Sequence, residues 1–278
     1  MTPSSKPLAK GPDWDPDLPH RSPMFAPLRP LAEKLPAIGW PNTEVLNHLA
    51  AETGRRIVNA RGQRIWFVPA GVPRADTSLG FEPRAFATGE VEVRPVNWHD
   101  LFNVLVWITF PTVKASVNGR HCQETEAERG TRSPVRDTLT HFDEDGVIVL
   151  CADASLSALL REFRWKELFW DRREEVRWAM RFIVFGHALY EKALAPFVGL
   201  TGKALIFDVP PEALEREGEP VRAQVDRLAA LYVWNPQRML TPRELAPVPL
   251  LGVPGWWDAN ARREFYENTD YFRPGRRR

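Results

Sequence analysis

Residues 98–121 read WHDLFNVLVWITFPTVKASVNGRH, and the fold turns on how this stretch is read. From Leu101 to Phe110 every residue is apolar except Asn103 and Thr109. A run that is apolar on all sides is either a buried helix or a fully buried strand. Its length, and Pro111 directly after it, favour helix, because proline suits the first turn of a new one. The pattern predicts a helix, a break at Phe110-Pro111, and a second helix that stops at Asn118-Gly119. Folded back as a hairpin, the pair brings His121, just past the second helix, near His99. His99 and Asn103 are four apart and share a helix face. A buried Asn103 needs its hydrogen bonds met.

Working outward, Asn42-Thr43-Glu44 opens a helix that Gly54 ends. The runs RRIVNA and RIWFVPA flank Arg61-Gly62-Gln63 and read as a β-hairpin over 56–69. Val91–Arg94 alternates and reads as another strand. Residues 122–137 are charged and read as an exposed loop or lid. An acidic turn, HFDEDG, then leads into a buried strand at Val147–Leu150. Lys203–Phe207 is a further strand candidate. The aromatic-rich segment from Leu156 to Leu194 reads as several helices, with Gly186 in a helix interior beside His187. A glycine there costs about 1 kcal/mol against alanine, which points to close approach of another segment or a ligand. The expected fold is α+β: a mainly helical single domain over 25–278 with a small antiparallel sheet. Residues 1–24 form a flexible N-terminal segment. Trp256, Trp257, Phe265, Tyr266, Tyr271 and Phe272 are costly to leave in water, so an irregular C-terminal tail wraps the core.

Net charge is +1, which gives no global field for nucleic acid or an acidic membrane. No apolar run approaches the ~20 residues needed to span a bilayer. The N-terminus lacks the apolar core of a secretory signal. Cys122 and Cys151 cannot build a disulfide framework, so a reducing cytoplasm is the expected location.

The segments NWHDLFN (97–103), Phe110-Pro111, FDEDG (142–146), FGHALYEK (185–192) and the closing FYEN…YFRP together resemble a bacterial family known only as domain of unknown function 3025. The resemblance spans roughly residues 55–275. It implies a cytoplasmic bacterial origin and one domain, and it implies no activity, substrate or cofactor. His99, Asp100, Asn103, His121, Asp143 and His187 lie inside the matching segments. His141 stands where the family pattern is apolar.

Histidine with carboxylate suits zinc, iron or manganese. The candidate catalytic residues are His99, Asp100 and His187. The candidate ligands of a divalent metal are His99, His121, His187 and Asp143. Nearby acids include Glu144 and Glu191, the latter four residues from His187 and on its side of a helix. No HExxH, CxxC pair, GxSxG, GxGxxG or P-loop is present. The leading expectation is a cytoplasmic hydrolase, metal-assisted, acting on a small-molecule or phosphoester substrate in a His/Asp pocket. The alternative is a non-catalytic binding or interaction protein whose polar cluster is structural. A weaker one is a nuclease resembling the His-Asn-His enzymes, with His99 as base and Asn103 orienting it, although the spacing departs from their ββα-metal unit and their paired cysteines are absent.

Overall fold

A computed structural model of the chain describes residues 13–71, 80–128, 131–215 and 218–275. In chain order the elements are α1 (Arg29–Ala32), α2 (Thr43–Glu52), β1 (Trp66–Pro69), α3 (Phe81–Thr88), β2 (Glu90–Val93), α4 (Trp98–Thr109), α5 (Pro111–Ala127) and α6 (Pro134–Asp145). They continue with β3 (Gly146–Cys151), α7 (Ala154–Arg161), α8 (Arg173–Ala179), β4 (Met180–Val184), α9 (His187–Lys192), β5 (Thr201–Asp208), α10 (Glu219–Trp234) and β6 (Ala246–Pro249). The fold is α+β, and no helix of the described residues is long and apolar enough to cross a membrane.

The decisive stretch is helical, as its length predicts. Asn97 caps α4 by accepting the Asp100 amide at 2.9 Å. Phe110, at φ −125° and ψ 56°, breaks the helix, and Pro111 restarts it as α5. Residues 101 to 111 are all buried, so α4 is enclosed by the rest of the chain. The first turn of α5 is capped from a distance. Asp226 on α10 accepts the amides of Thr112 and Val113 at 3.1 and 2.8 Å.

The predicted stop at Asn118-Gly119 is wrong: α5 runs on to Ala127. A Cβ on Gly119 would lie 2.7 Å from the Ala60 Cβ and 3.0 Å from the Trp234 ring. The glycine serves a close approach of α10 and the 55–60 segment, which locally looks the same as a helix end. His121 is therefore inside a helix and not just past its end. Residues 122–127 belong to α5 and 134–145 to α6, where the sequence read a loop. Residues 129–130 of that loop lie outside the described residues.

The strands form two sheets. Trp66–Pro69 pairs with Glu90–Val93 in parallel, not as part of a hairpin; only a single Val58–Arg64 bridge remains of the predicted 56–69 ladder. The main sheet has the order β4-β3-β5-β6 and is mixed. β3 runs antiparallel to β4, with Val147 opposite Val184, and parallel to β5, with Val147 opposite Ala204. All six β3 residues are buried, as expected of a strand covered on both faces. β4 falls in the segment read as helices; its pairing partner is supplied by β3, more than 30 residues earlier.

The described part of the N-terminal segment packs against the core from Trp14 on. Leu18, Met24 and Phe25 are buried, and Trp14 stacks on Trp98 at 5.4 Å. Residues 1–12 lie outside the described residues. The C-terminal tail wraps the core as expected. The Tyr271 hydroxyl accepts the Leu251 amide at 2.9 Å and donates to the Leu200 carbonyl at 2.7 Å.

Candidate metal centre

Three helix ends meet at one edge of the main sheet. α6 runs into β3 without a loop, so Asp143 and Glu144 sit at the entrance to the strand. β4 lies beside β3, and two residues after it ends, Gly186 caps α9. The register Val147–Val184 brings the start of α9 against the end of α6. Gly186 donates to the Gly146 carbonyl at 2.9 Å. A Cβ on Gly186 would lie 2.3 Å from the Gly146 nitrogen and 2.4 Å from the Glu144 carbonyl oxygen. The glycine is thus required by close approach of another backbone, as its position beside His187 suggested, but it caps a helix and does not interrupt one.

The first turn of α4 supplies His99. Its Nε2 lies 3.0 Å from His187 Nε2, with the rings edge to face at 72°. Glu144 Oε2 is 3.7 Å from His187 Nε2. One ligand atom from each of His99, Glu144 and His187 falls within 4.8 Å of the other two. The outer nitrogens face carboxylates: His99 Nδ1 is 3.1 Å from Glu191 Oε2, and His187 Nδ1 is 3.6 Å from Asp143 Oδ2. His187 is 6% exposed, while His99 and Glu144 are 30% and 37% exposed, so the cluster opens to solvent on their side.

Behind it lies a buried ion pair. Lys114 Nζ donates to both oxygens of Asp143, at 2.7 and 2.9 Å. Burial opposes the Asp143 charge, but Lys114 and then His187 outweigh it and hold the carboxyl below its ordinary range. Burial draws His187 down to about 3, so its imidazole is neutral at pH 7. Glu144 is pushed up, first by burial and then by the Asp143 charge. Asn103 Oδ1, Trp107 Nε1, Asn118 Oδ1, His121 Nδ1 and His187 Nδ1 are buried without a hydrogen-bond partner within the protein.

Of the residues chosen from sequence, the structure brings His99 and His187 into direct contact and sets Asp143 behind His187. It does not bring in His121 or Asp100. His121 sits on α5 among Arg136, Arg132, Asp143 and Glu128; burial first, then the arginines, lower it to about 4. Asp100 is committed to Arg94, accepting its Nε at 2.8 Å, its Nη2 at 2.7 Å and its backbone amide at 2.7 Å. No hydrogen bond joins Asn103 to His99, so the His-Asn-His arrangement is not formed among the described residues. Glu144, Glu191 and Lys114 were not chosen. The first two were visible as acids within FDEDG and FGHALYEK; a lysine within the mostly apolar PTVKASV gave the only hint of the third.

A family model described as "Protein of unknown function (DUF3025)" matches residues 65–276. Neither a curated protein nor a solved structure matches the chain.

Proposed function

The chain belongs to the DUF3025 family, and from its polar cluster we propose that it is a metal-assisted hydrolase, with a divalent ion held by His99, His187 and Glu144. One observation carries the reading: both histidines turn Nε2 to the same point, and each Nδ1 faces a carboxylate, hydrogen-bonded at 3.1 Å for His99 and 3.6 Å away for His187. Two nitrogens bound at ~2.1 Å to one ion are roughly 3.0–3.4 Å apart, and the separation here is 3.0 Å. Histidine ligands commonly direct their second nitrogen to a carboxylate, which fixes the ring and raises its basicity. Two histidines and a glutamate are a donor set used by catalytic zinc, and they leave a position open for water.

Bound there, the ion supplies a Lewis acid and lowers the pKa of its water. The residues do the rest. Asp143, kept ionised by Lys114, sets a negative charge 3.6 Å behind His187 Nδ1. Glu191 orients His99 from the exposed side. The open side at His99 and Glu144 admits a small ester or phosphoester. The two cysteines are free and buried, in keeping with a cytoplasmic protein.

The 3.0 Å separation also suits one N–H···N hydrogen bond, and this favours the second reading, a binding protein with a structural cluster. Calorimetric titration of chelator-stripped protein with Zn²⁺, Mn²⁺ and Co²⁺ separates the two. The expected result is one ion per chain, with affinity reduced about 10-fold or more in His99→Ala and Glu144→Gln, and metal-dependent turnover of a p-nitrophenyl ester or phosphoester. Binding should weaken as pH falls, because the ion needs Glu144 ionised and its pKa is raised. Failure of all three metals to bind would leave the structural reading.

A further inference from the structure

A second feature, separate from the histidine cluster, is a groove of about 510 Å³ between α5, α10 and the 55–60 segment. Its lining is mostly apolar, with Ala60, Ala115, Ala230, Leu231 and Trp234 beside the uncharged polar Asn59, Thr112 and Ser116. Leu231 is 71% exposed and Trp234 44%, unusual for side chains of this size on one helix face. Gly119 shapes one end, since the missing Cβ lets Ala60 and the Trp234 ring close in over α5.

The charges lining the groove are of one sign. Arg55, Arg56 and Arg227 line it, with no acidic residue among the lining residues. Arg55 is already committed to Glu219 and Asp226. Arg56 and Arg227 are exposed and have no ion-pair partner among the described residues. An apolar trough of this volume with two uncommitted guanidinium groups is complementary to a molecule that is apolar along its length and anionic at one end. Such pockets, of about 300–1,000 Å³, hold single small ligands, and a few placed polar groups set their orientation. Guanidinium presents its N–H groups as a fork that matches a carboxylate.

We propose that this groove binds a single-chain amphipathic carboxylate of the fatty-acid type. Its chain lies along Ala115, Ala230, Leu231 and Trp234, and its head is received by Arg56 and Arg227. All three positions offered for mutation, Arg56, Arg227 and Leu231, are exposed, so their variants should fold. The test is calorimetric titration of the full chain with monomeric dodecanoate, with dodecanol and dodecylamine as the neutral and cationic counterparts.

The expected result is one dodecanoate per chain, with binding about tenfold weaker or worse in Arg56→Gln/Arg227→Gln and also in Leu231→Asp. Dodecanol and dodecylamine should bind at least tenfold more weakly than dodecanoate. Equal binding of dodecanol, or no loss in the double arginine variant, would overturn the head-group assignment and with it the proposal. Two further outcomes would overturn it in favour of another occupant. Capture of the protein by anionic phospholipid vesicles without dodecanoate binding in solution would make the face a membrane contact. Dimers that Leu231→Asp dissociates and dodecanoate does not would make it a contact between copies of the chain.

Discussion

At the scale of single residues, the polar interior is the unusual part of this chain. Lys114 and Asp143 form a buried ion pair, and two neutral histidines lie around them. Such pairs are strongly destabilising to break, because the survivor is an uncompensated charge. The histidines couple this interior to pH. His121 has an ordinary value of 6.5 and is lowered to about 4 in the folded chain. In the window from about 4 to 6.5, the unfolded chain therefore binds a proton at this position that the folded chain does not. Its contribution to stability is fully present above pH 6.5 and is lost as pH falls toward 4. His187 acts in the same direction, whereas Glu82 and Glu144, raised chiefly by burial, act against it. Comparing wild type with His121→Gln isolates one group. The stability difference should change by up to about 1.4 kcal/mol per pH unit inside the window and be flat above it, measured by urea denaturation of metal-free protein. A difference independent of pH would contradict the neutral, half-buried imidazole. Little of this was legible. His99, Asp143 and His187 stood out by residue type, but Lys114 gave no signal beyond an unexpected charge in a mostly apolar run.

At the scale of elements, local signals located the ends that local chemistry makes and missed those that distant chemistry makes. The α2 cap at Asn42 and the restart at Pro111 depend on neighbours in sequence. Gly119 and Gly186 depend on chain segments far away: Gly119 was read as a local helix stop, while Gly186, read as a point of close approach, was placed in a helix interior and not at its cap. β4 has the same history, since its ladder is with β3. Gly186 offers the sharpest test at this scale. Gly186→Ala forces a Cβ to within 2.4 Å of the Gly146 and Glu144 backbone, which has no flexible end to move aside. The expected loss is about 3 kcal/mol or more, together with displacement of His187 from His99. Thermal denaturation and histidine NMR shifts would register both. A variant with wild-type stability would show that the α6–β3 turn can yield.

For the whole molecule, composition was a good guide to class and a poor one to topology. The large aromatics between Trp256 and Phe272 implied a tail that wraps the core, and Tyr266, Tyr271 and Phe272 are buried in that way. The parallel pairing of β1 with β2, and of β3 with β5, leaves no periodic trace, because parallel neighbours are joined by long crossovers. The tail is tied to the sheet region through the buried Tyr271 hydroxyl, which satisfies Leu251 and Leu200 at once. Tyr271→Phe keeps the ring and orphans the Leu251 amide, while the Leu200 carbonyl keeps its bond from the Leu250 amide. It should cost about 2 kcal/mol, read as a lower urea midpoint with an unchanged slope. A changed slope would instead mean that the tail detaches before the rest unfolds.

The indoles at the start of α4 have an optical consequence. Trp98 precedes His99, stacks on Trp14 with an interplanar angle of 14°, and meets Trp40 at 4.6 Å. Stacked chromophores at this range share their electronic transitions, and the shared states rotate polarised light in a paired band of opposite signs. The Trp14–Trp98 share of the band exists only while the N-terminal segment packs on the first turn of α4. The chain therefore carries an unlabelled dichroic signal for the seating of the turn that presents His99, readable in the same cuvette as a metal titration.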